Sequence, residues 1–187
     1  MNPALPVLLT VADLESLPDD GNRYEIVDGD LFVSTSPSFV HQTVLARLLY
    51  AILDFLRGNP IGEIVPGVGV IFDDHNAVIP DLLYISRERL PETIVGGRLV
   101  RAPEIAIEIL SPGPSNERRD RHVKLNLYSA RGVPEYWIVN PESRSIEIYR
   151  SRSGKLELTG DLHPGDVLTS PELPGFSARV ESFFPKL

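Results

Sequence analysis

The feature that most constrains this chain is a pair of apolar segments that each carry one acidic residue. Residues 78–85 (VIPDLLYI) contain Asp81, residues 105–110 (IAIEIL) contain Glu108, and both segments are otherwise apolar and rich in branched side chains. Such segments are typical of strands buried on both faces of a sheet. Burying a lone carboxylate is costly, and two carboxylates on neighbouring strands repel each other, so a divalent cation between them is the economical explanation. The alternative is structural: Asp81 caps a strand end and Glu108 pairs with an arginine.

The length and composition indicate one globular domain over residues 1–187, since the chain is 42% hydrophobic and 24% charged. It has no cysteine, which excludes disulfides, thiolate metal sites and cysteine nucleophiles. The sequence has no run of about 18 apolar residues and no basic segment followed by an apolar core. We therefore expect a cytoplasmic protein with no membrane partner.

The periodicity predicts alternating helices and strands. Thr10 and Asp13 resemble a capping box that begins a short N-terminal helix. The turn dipeptide Asp28-Gly29 predicts an N-terminal hairpin. The helices are predicted at 41–57 and 117–131. The strands are predicted at 24–27, 31–33, 63–72, 78–85, 105–110, 135–139, 145–149 and 155–159, with 91–100 as a loop or weak strand and further strands in the tail. The 63–72 strand is expected to be kinked at Pro66-Gly67.

The order of the motifs resembles that of a known family. Tyr24-Glu25-Ile-Val-Asp28-Gly29 is followed by His41, Pro80-Asp81, Glu108-Ile-Leu-Ser111-Pro112, Asp120…Lys124…Tyr128 and Glu135-Tyr136-Trp137. This order is similar to that of the Uma-two branch of bacterial endonucleases, within the PD-(D/E)XK restriction-endonuclease-like superfamily. The resemblance spans roughly residues 20 to 180. It implies an α/β fold in which a central mixed β-sheet is flanked by helices, with an N-terminal hairpin and a C-terminal β extension.

The resemblance also implies a set of site residues. Asp81 and Glu108 are expected to bind Mg²⁺ (or Mn²⁺) through hard oxygen ligands. The superfamily places a lysine two positions after the second acid, but that position is Leu110 here, so Lys124 on the following helix is expected to take over the catalytic role. Glu25, His41 and Asp120 are auxiliary candidates. Asp120 is expected to orient Lys124 across one helical turn.

The charge distribution bears on the partner. The net charge of −8 argues against a surface that grips nucleic acid everywhere, because phosphate contacts come from Lys and Arg. Residues 87–131, however, hold nine of the eighteen Lys and Arg but six of the twenty-six acids, which favours one basic face. Within this segment Arg118, Arg119 and Arg121 could follow a nucleic-acid backbone or simply form a solvated face.

Two function classes remain after these observations. The first is a metal-dependent endonuclease that hydrolyses phosphodiester bonds, with DNA as the expected substrate, acting as a homodimer so that two sites can cut two strands. The second is a catalytically weak or inactive nuclease-fold module that acts through protein or nucleic-acid binding. The acidic net charge and Leu110 at the usual lysine position favour the second class.

Overall fold

The computed structural model describes residues 8–186 as an α/β chain. The strands are β1 (Arg23–Val27), β2 (Asp30–Ser34), β3 (Gly62–Pro66), β4 (Val70–Asp73), β5 (Asn76–Val78), β6 (Leu82–Ser86), β7 (Ile94–Val95), β8 (Arg98–Leu99), β9 (Ile105–Ile109), β10 (Glu135–Asn140), β11 (Ser145–Arg152), β12 (Lys155–Leu162), β13 (Val167–Ser170) and β14 (Leu173–Arg179). The helices are α1 (Val11–Leu14), α2 (Phe39–Gly58), α3 (Leu90–Thr93), α4 (Pro114–Arg118) and α5 (Leu125–Ala130), with a π-helical turn at Arg119–Lys124 and a 3₁₀ turn at Val180–Ser182.

The central layer is a six-stranded sheet in the order β12-β11-β10-β9-β6-β3. Strands β9 and β10 run parallel and their neighbours run antiparallel, so the sheet is mixed, as predicted. The middle strands are buried on both faces, which explains why their sequences are nearly continuous apolar runs.

The long helix α2 covers one face of this sheet. Ser38 caps it by accepting a hydrogen bond from the backbone N of His41 at 3.2 Å. Its buried stripe repeats every four residues and packs against apolar residues of the central sheet; the stripe is Val44, Leu48, Ile52 and Leu56. By length and composition α2 could also cross a membrane, but a buried core helix can have the same length and composition. The predicted helix is confirmed and begins two residues earlier than expected.

A smaller six-stranded sheet, in the order β2-β1-β5-β4-β8-β7, lies against the opposite face together with α5. Its first hairpin turns at Asp28 and Gly29, whose φ angles of 51° and 80° lie in the left-handed region favoured by this dipeptide. The predicted N-terminal hairpin is therefore confirmed. Strands β13 and β14 pair as a separate two-stranded sheet and form the predicted C-terminal extension.

Two of the predicted strands each divide into two strands, because each segment crosses between the sheets. The 63–72 segment divides into β3 and β4 at its predicted kink, around Gly67, whose φ is 59°. The 78–85 segment divides into β5 and β6 at Ile79-Pro80-Asp81, where Pro80 has no N–H to donate to a neighbouring strand. The two breaks lie side by side, since the backbone N of Gly67 donates to the carbonyl of Asp81 at 3.1 Å. Asp81 therefore stands where the chain passes from one sheet to the other.

The helical segment after β9 also differs from the prediction. It begins at Pro114 rather than near residue 117, and six of its residues form a π-helical turn between α4 and α5. Gly132, with a φ of 74°, follows the end of the segment as predicted. The 91–100 region forms α3 and the β7–β8 hairpin, and the predicted capping box at Thr10 and Asp13 is present at α1.

Candidate active site

The structure brings Asp81 and Glu108 together on neighbouring antiparallel strands. Leu82 of β6 pairs with Ile107 of β9, so the next step of the register places Asp81 opposite Glu108. Both side chains are buried and both line one cavity of about 30 Å³. Such a volume accommodates about one water molecule. The predicted proximity of the two acids is confirmed.

Fixed donors hold the Asp81 carboxylate. Its Oδ2 accepts hydrogen bonds from the backbone N of Ile109 at 2.9 Å and interacts with Nε2 of His41 at 3.0 Å. Its Oδ1 accepts one from Nη1 of Arg23 at 3.0 Å. Burial alone would raise the pKa of Asp81, but the hydrogen bond and charge of His41 and the Ile109 N–H lower it below its ordinary value. Asp81 is therefore ionised at neutral pH.

Lys124 lies between two carboxylates. Its side chain is 2% exposed, and its Nζ is 2.9 Å from Oε1 of Glu108 and 2.8 Å from Oε1 of Glu25. The hydroxyl of Tyr128 donates to the same Glu108 oxygen at 2.9 Å. The backbone N of Ile79, in the break between β5 and β6, donates to Oε1 of Glu25 at 2.6 Å. Lys124 therefore reaches the second acid from the helical segment, as the sequence predicted.

The electrostatics of this group are asymmetric. Burial opposes the charge of Lys124, but Glu108, Glu25 and Asp120 raise its pKa above the ordinary value, so the lysine stays protonated. Burial raises the pKa of Glu108 to about 8; Lys124 opposes this change, while Asp120, Asp81 and Glu25 add to it. Three cations, Lys124, Arg23 and Arg119, lie among these four carboxylates, but the burial of Glu108 outweighs the charge of Lys124, so the pKa of Glu108 stays above its ordinary value.

The π-helical turn aims two charged side chains inward. Asp120 and Lys124 are both buried in this turn, and the Tyr136 hydroxyl donates to the Asp120 carbonyl at 3.0 Å. The expected ion pair between Asp120 and Lys124 is wrong: among residues 8–186 the salt-bridge partner of Asp120 is Arg119, with Nε 3.0 Å from its Oδ1. A π turn does not place residues four apart as an α-helix does, so the i,i+4 rule does not apply here. Burial raises the pKa of Asp120, while Lys124 and Arg119 oppose the change.

The three arginines proposed for nucleic-acid contact occupy different places. Arg119 lines the cavity and also donates to the hydroxyl of Ser34. Arg121 pairs with Glu147 and, at 3.5 Å, with Glu117. Arg118 is exposed. The structure thus separates one cavity arginine from two that lie on an outer surface.

Sequence reasoning missed Arg23 and treated Tyr128 as a core residue. Arg23 contacts a residue 58 positions away, and nothing in its own segment indicates that partner. Tyr128 is fully buried, as expected, but its hydroxyl binds Glu108. The usable signal for Tyr128 was its place four residues after Lys124 on the same helical segment.

The donor chemistry fits a hard divalent cation. Glu25 and Glu108 each have Oε1 occupied by buried donors, and Oε2 of each accepts no hydrogen bond from residues 8–186. In Asp81, Oδ2 interacts with two buried donors, whereas within residues 8–186 the partner of Oδ1 is the Arg23 side chain alone. Carboxylate oxygens of this kind are the ligands that Mg²⁺ and Mn²⁺ accept. Residues 8–186 contain no group of three or more acidic or histidine side chains already arranged around a metal position.

Comparison with known proteins supports this fold and identifies the family of the chain. A solved structure described as "a putative nuclease" from Anabaena variabilis superposes with a TM-score of 0.76, at 18% identity, over 96% of this chain and 98% of its own. No curated protein matches the chain. The model of the Uma2 family, described as "Putative restriction endonuclease", matches residues 11–181, and restriction-endonuclease-like proteins generally use divalent metal ions. That match covers most of the chain, and the chain belongs to the Uma2 family of restriction-endonuclease-like proteins.

Proposed function

We propose that this protein is a metal-dependent endonuclease that hydrolyses phosphodiester bonds of nucleic acid, with DNA as the expected substrate. The observation that carries the proposal is the meeting of Asp81, Glu108 and Lys124 at one small cavity. Oε2 of Glu108, which accepts no hydrogen bond from residues 8–186, and Oδ1 of Asp81, which pairs with a part-exposed arginine, lie next to a buried ammonium group. Together these groups supply the charges that phosphodiester hydrolysis requires.

Asp81 and Glu108 would hold Mg²⁺ or Mn²⁺ at this site. When bound, such an ion neutralises charge on the scissile phosphate and lowers the pKa of a nucleophilic water. An ammonium group has three N–H donors, and two of those on Lys124 are directed to Glu108 and Glu25. The third is available to a phosphate oxygen, where its charge favours the pentacoordinate transition state.

The auxiliary residues position other side chains of the cavity. Glu25 fixes the position of Lys124, and His41 fixes the unreactive oxygen of Asp81. Asp120 holds Arg119 at the cavity wall. We therefore assign positioning roles to Glu25, His41 and Asp120.

The test combines metal binding with cleavage. Calorimetric titration with Mn²⁺ and single-turnover cleavage of plasmid and single-stranded substrates are compared for wild type, Asp81→Asn, Glu108→Gln and Lys124→Ala. Asp54→Asn, which changes an exposed carboxylate on α2, is the matched control. We expect both carboxylate variants to lose metal binding and cleavage, and Lys124→Ala to lose cleavage alone. Metal binding at wild-type strength in both carboxylate variants would contradict the proposal.

The second candidate function is a nuclease-fold module with weak or no activity. It is favoured by the engaged Asp81 carboxylate, whose two oxygens already accept three protein donors, and by the net charge of −8. Binding of duplex without cleavage by wild type, in either Mg²⁺ or Mn²⁺, would support this function over hydrolysis.

We further propose that the active form is a homodimer. One chain carries one such site, and cutting both strands of a duplex is most simply done by a two-fold pair. Light scattering at micromolar concentration should give twice the chain mass of 20.7 kDa. A mass of one chain would contradict this proposal.

A further inference from the structure

The two oxygens of Asp81 have unlike surroundings. Oδ2 is held by the backbone N of Ile109 and by buried His41, neither of which can move without disturbing the strand or α2. Oδ1 contacts the guanidinium of Arg23, whose side chain is 34% exposed. The oxygen that a cation can take is therefore the one that Arg23 already occupies.

The cations around the cavity differ in how firmly they are held. Lys124 is buried between two carboxylates, and Arg119 is held by Asp120 and Ser34. Among residues 8–186, the ion-pair partner of Arg23 is Asp81 alone. A part-exposed arginine with one partner can turn toward solvent, where water solvates its guanidinium, and a cation at Oδ1 would replace the positive charge that the buried Asp81 carboxylate loses.

We propose that Arg23 is an electrostatic gate that competes with the divalent ion for Oδ1 of Asp81 and then binds a substrate phosphate. This inference rests on the proposed function, since it requires a cation at Asp81. A divalent ion at Oδ1 repels the guanidinium of Arg23, which lines the same cavity as Thr35 and Pro37. The planar fork of arginine suits a phosphate, so the released side chain meets the substrate only when the ion is present.

Removing the charge of Arg23 should change the affinity for metal and the affinity for substrate in opposite directions. Arg23→Met keeps an apolar stem and removes the charge, so Mn²⁺ should bind about 2–5-fold more tightly to this variant, the contribution expected of a part-exposed ion pair. In saturating Mn²⁺, the same variant should bind a duplex about 10-fold or more weakly, because a charged hydrogen bond to phosphate is lost. A merely structural arginine would not strengthen metal binding when it is removed.

The experiment is calorimetric titration with Mn²⁺, followed by fluorescence anisotropy of a labelled phosphorothioate duplex that resists hydrolysis. The matched control is Arg101→Met, which removes an exposed arginine paired with Glu92 at 3.1 Å, away from the cavity. Tighter Mn²⁺ binding and weaker duplex binding in Arg23→Met, with Arg101→Met unchanged in both, support the gate.

Four other outcomes are decisive. Equal or weaker Mn²⁺ binding by Arg23→Met, when wild type binds the ion, overturns the gate and leaves the proposed function standing. Tighter Mn²⁺ binding with unchanged duplex binding overturns the phosphate contact. Failure of both wild type and Arg23→Met to bind Mn²⁺ overturns the gate and the metal-dependent function together, whereas binding by Arg23→Met alone supports a strong gate.

Discussion

Replacing Glu108 by glutamine should make the metal-free protein progressively more stable than wild type as the pH rises. The folded protein raises the pKa of Glu108 from 4.5 to about 8, mainly because the side chain is buried. A carboxyl group whose pKa is higher in the folded state binds its proton more tightly there. The folded wild-type protein therefore loses stability as the pH rises from 4.5 toward 8. Glutamine has the shape of the neutral acid, can accept the same donors from Lys124 and Tyr128, and does not titrate.

The expected size follows from the two pKa values. Each pH unit in this range costs wild type at most about 1.4 kcal/mol, so between about pH 6 and pH 8 the variant should gain up to about 3 kcal/mol relative to wild type. Urea unfolding in the presence of a chelator, repeated across this range, measures the difference in unfolding free energy. The control is Glu63→Gln, which changes an exposed carboxylate on β3. A difference between Glu108→Gln and wild type that does not change with pH would refute the reasoning.

The remaining predictions concern catalysis and packing. Lys124→Ala should lower turnover by about 10²-fold or more while metal affinity stays near wild type in calorimetry, and Lys124→Arg should recover little of the rate. Gly62→Ala should destabilise the protein by about 1–3 kcal/mol in chemical unfolding, because the added Cβ would overlap the carbonyl of Ile85, whereas Gly58→Ala, with open space around its Cβ, should be neutral or stabilising; equal effects would contradict the packing argument. Ser38→Ala should cost about 1 kcal/mol of unfolding free energy through the lost cap of α2, and no measurable loss would show that the cap contributes little.

Local patterns predicted the elements that local forces determine. The Asp28-Gly29 turn, the stripe of α2 and the apolar runs of β9 and β10 each reflect contacts within one turn or one strand pair, and each is confirmed. The two predicted strands that divide in the structure do so because of contacts between distant segments. Residues 63–72 and 78–85 have strand composition throughout, but the point where each leaves the central sheet depends on the other segment through the bond from Gly67 to Asp81.

At the candidate site, too, the sequence did not predict contacts between residues far apart in the chain. The apolar runs around Asp81 and Glu108 indicated these two acids, and the family resemblance indicated Lys124. The partner of Arg23 lies 58 residues away, and that pairing depends on the smaller sheet packing beside the central one. Asp120 pairs with its sequence neighbour Arg119 and not with Lys124, because the segment forms a π turn that helical periodicity does not predict. Contacts set by tertiary packing are therefore the part of the site that required the structure.

The π-helical turn limits how the length of this segment can change. A π turn contains one residue more than an α-helical turn, so deleting one residue from Arg119–Lys124 could leave a continuous α-helix with its backbone hydrogen bonds complete. Every side chain on one side of the deletion would then rotate by about 100° relative to the other side. Lys124, at the end of the turn, and Tyr128 after it could then no longer face Glu108 while Asp120, at the start of the turn, stays buried. A single-residue deletion here would thus preserve the helix and dismantle the site, so among related sequences the number of residues between Gly113 and Lys124 should vary less than their identities.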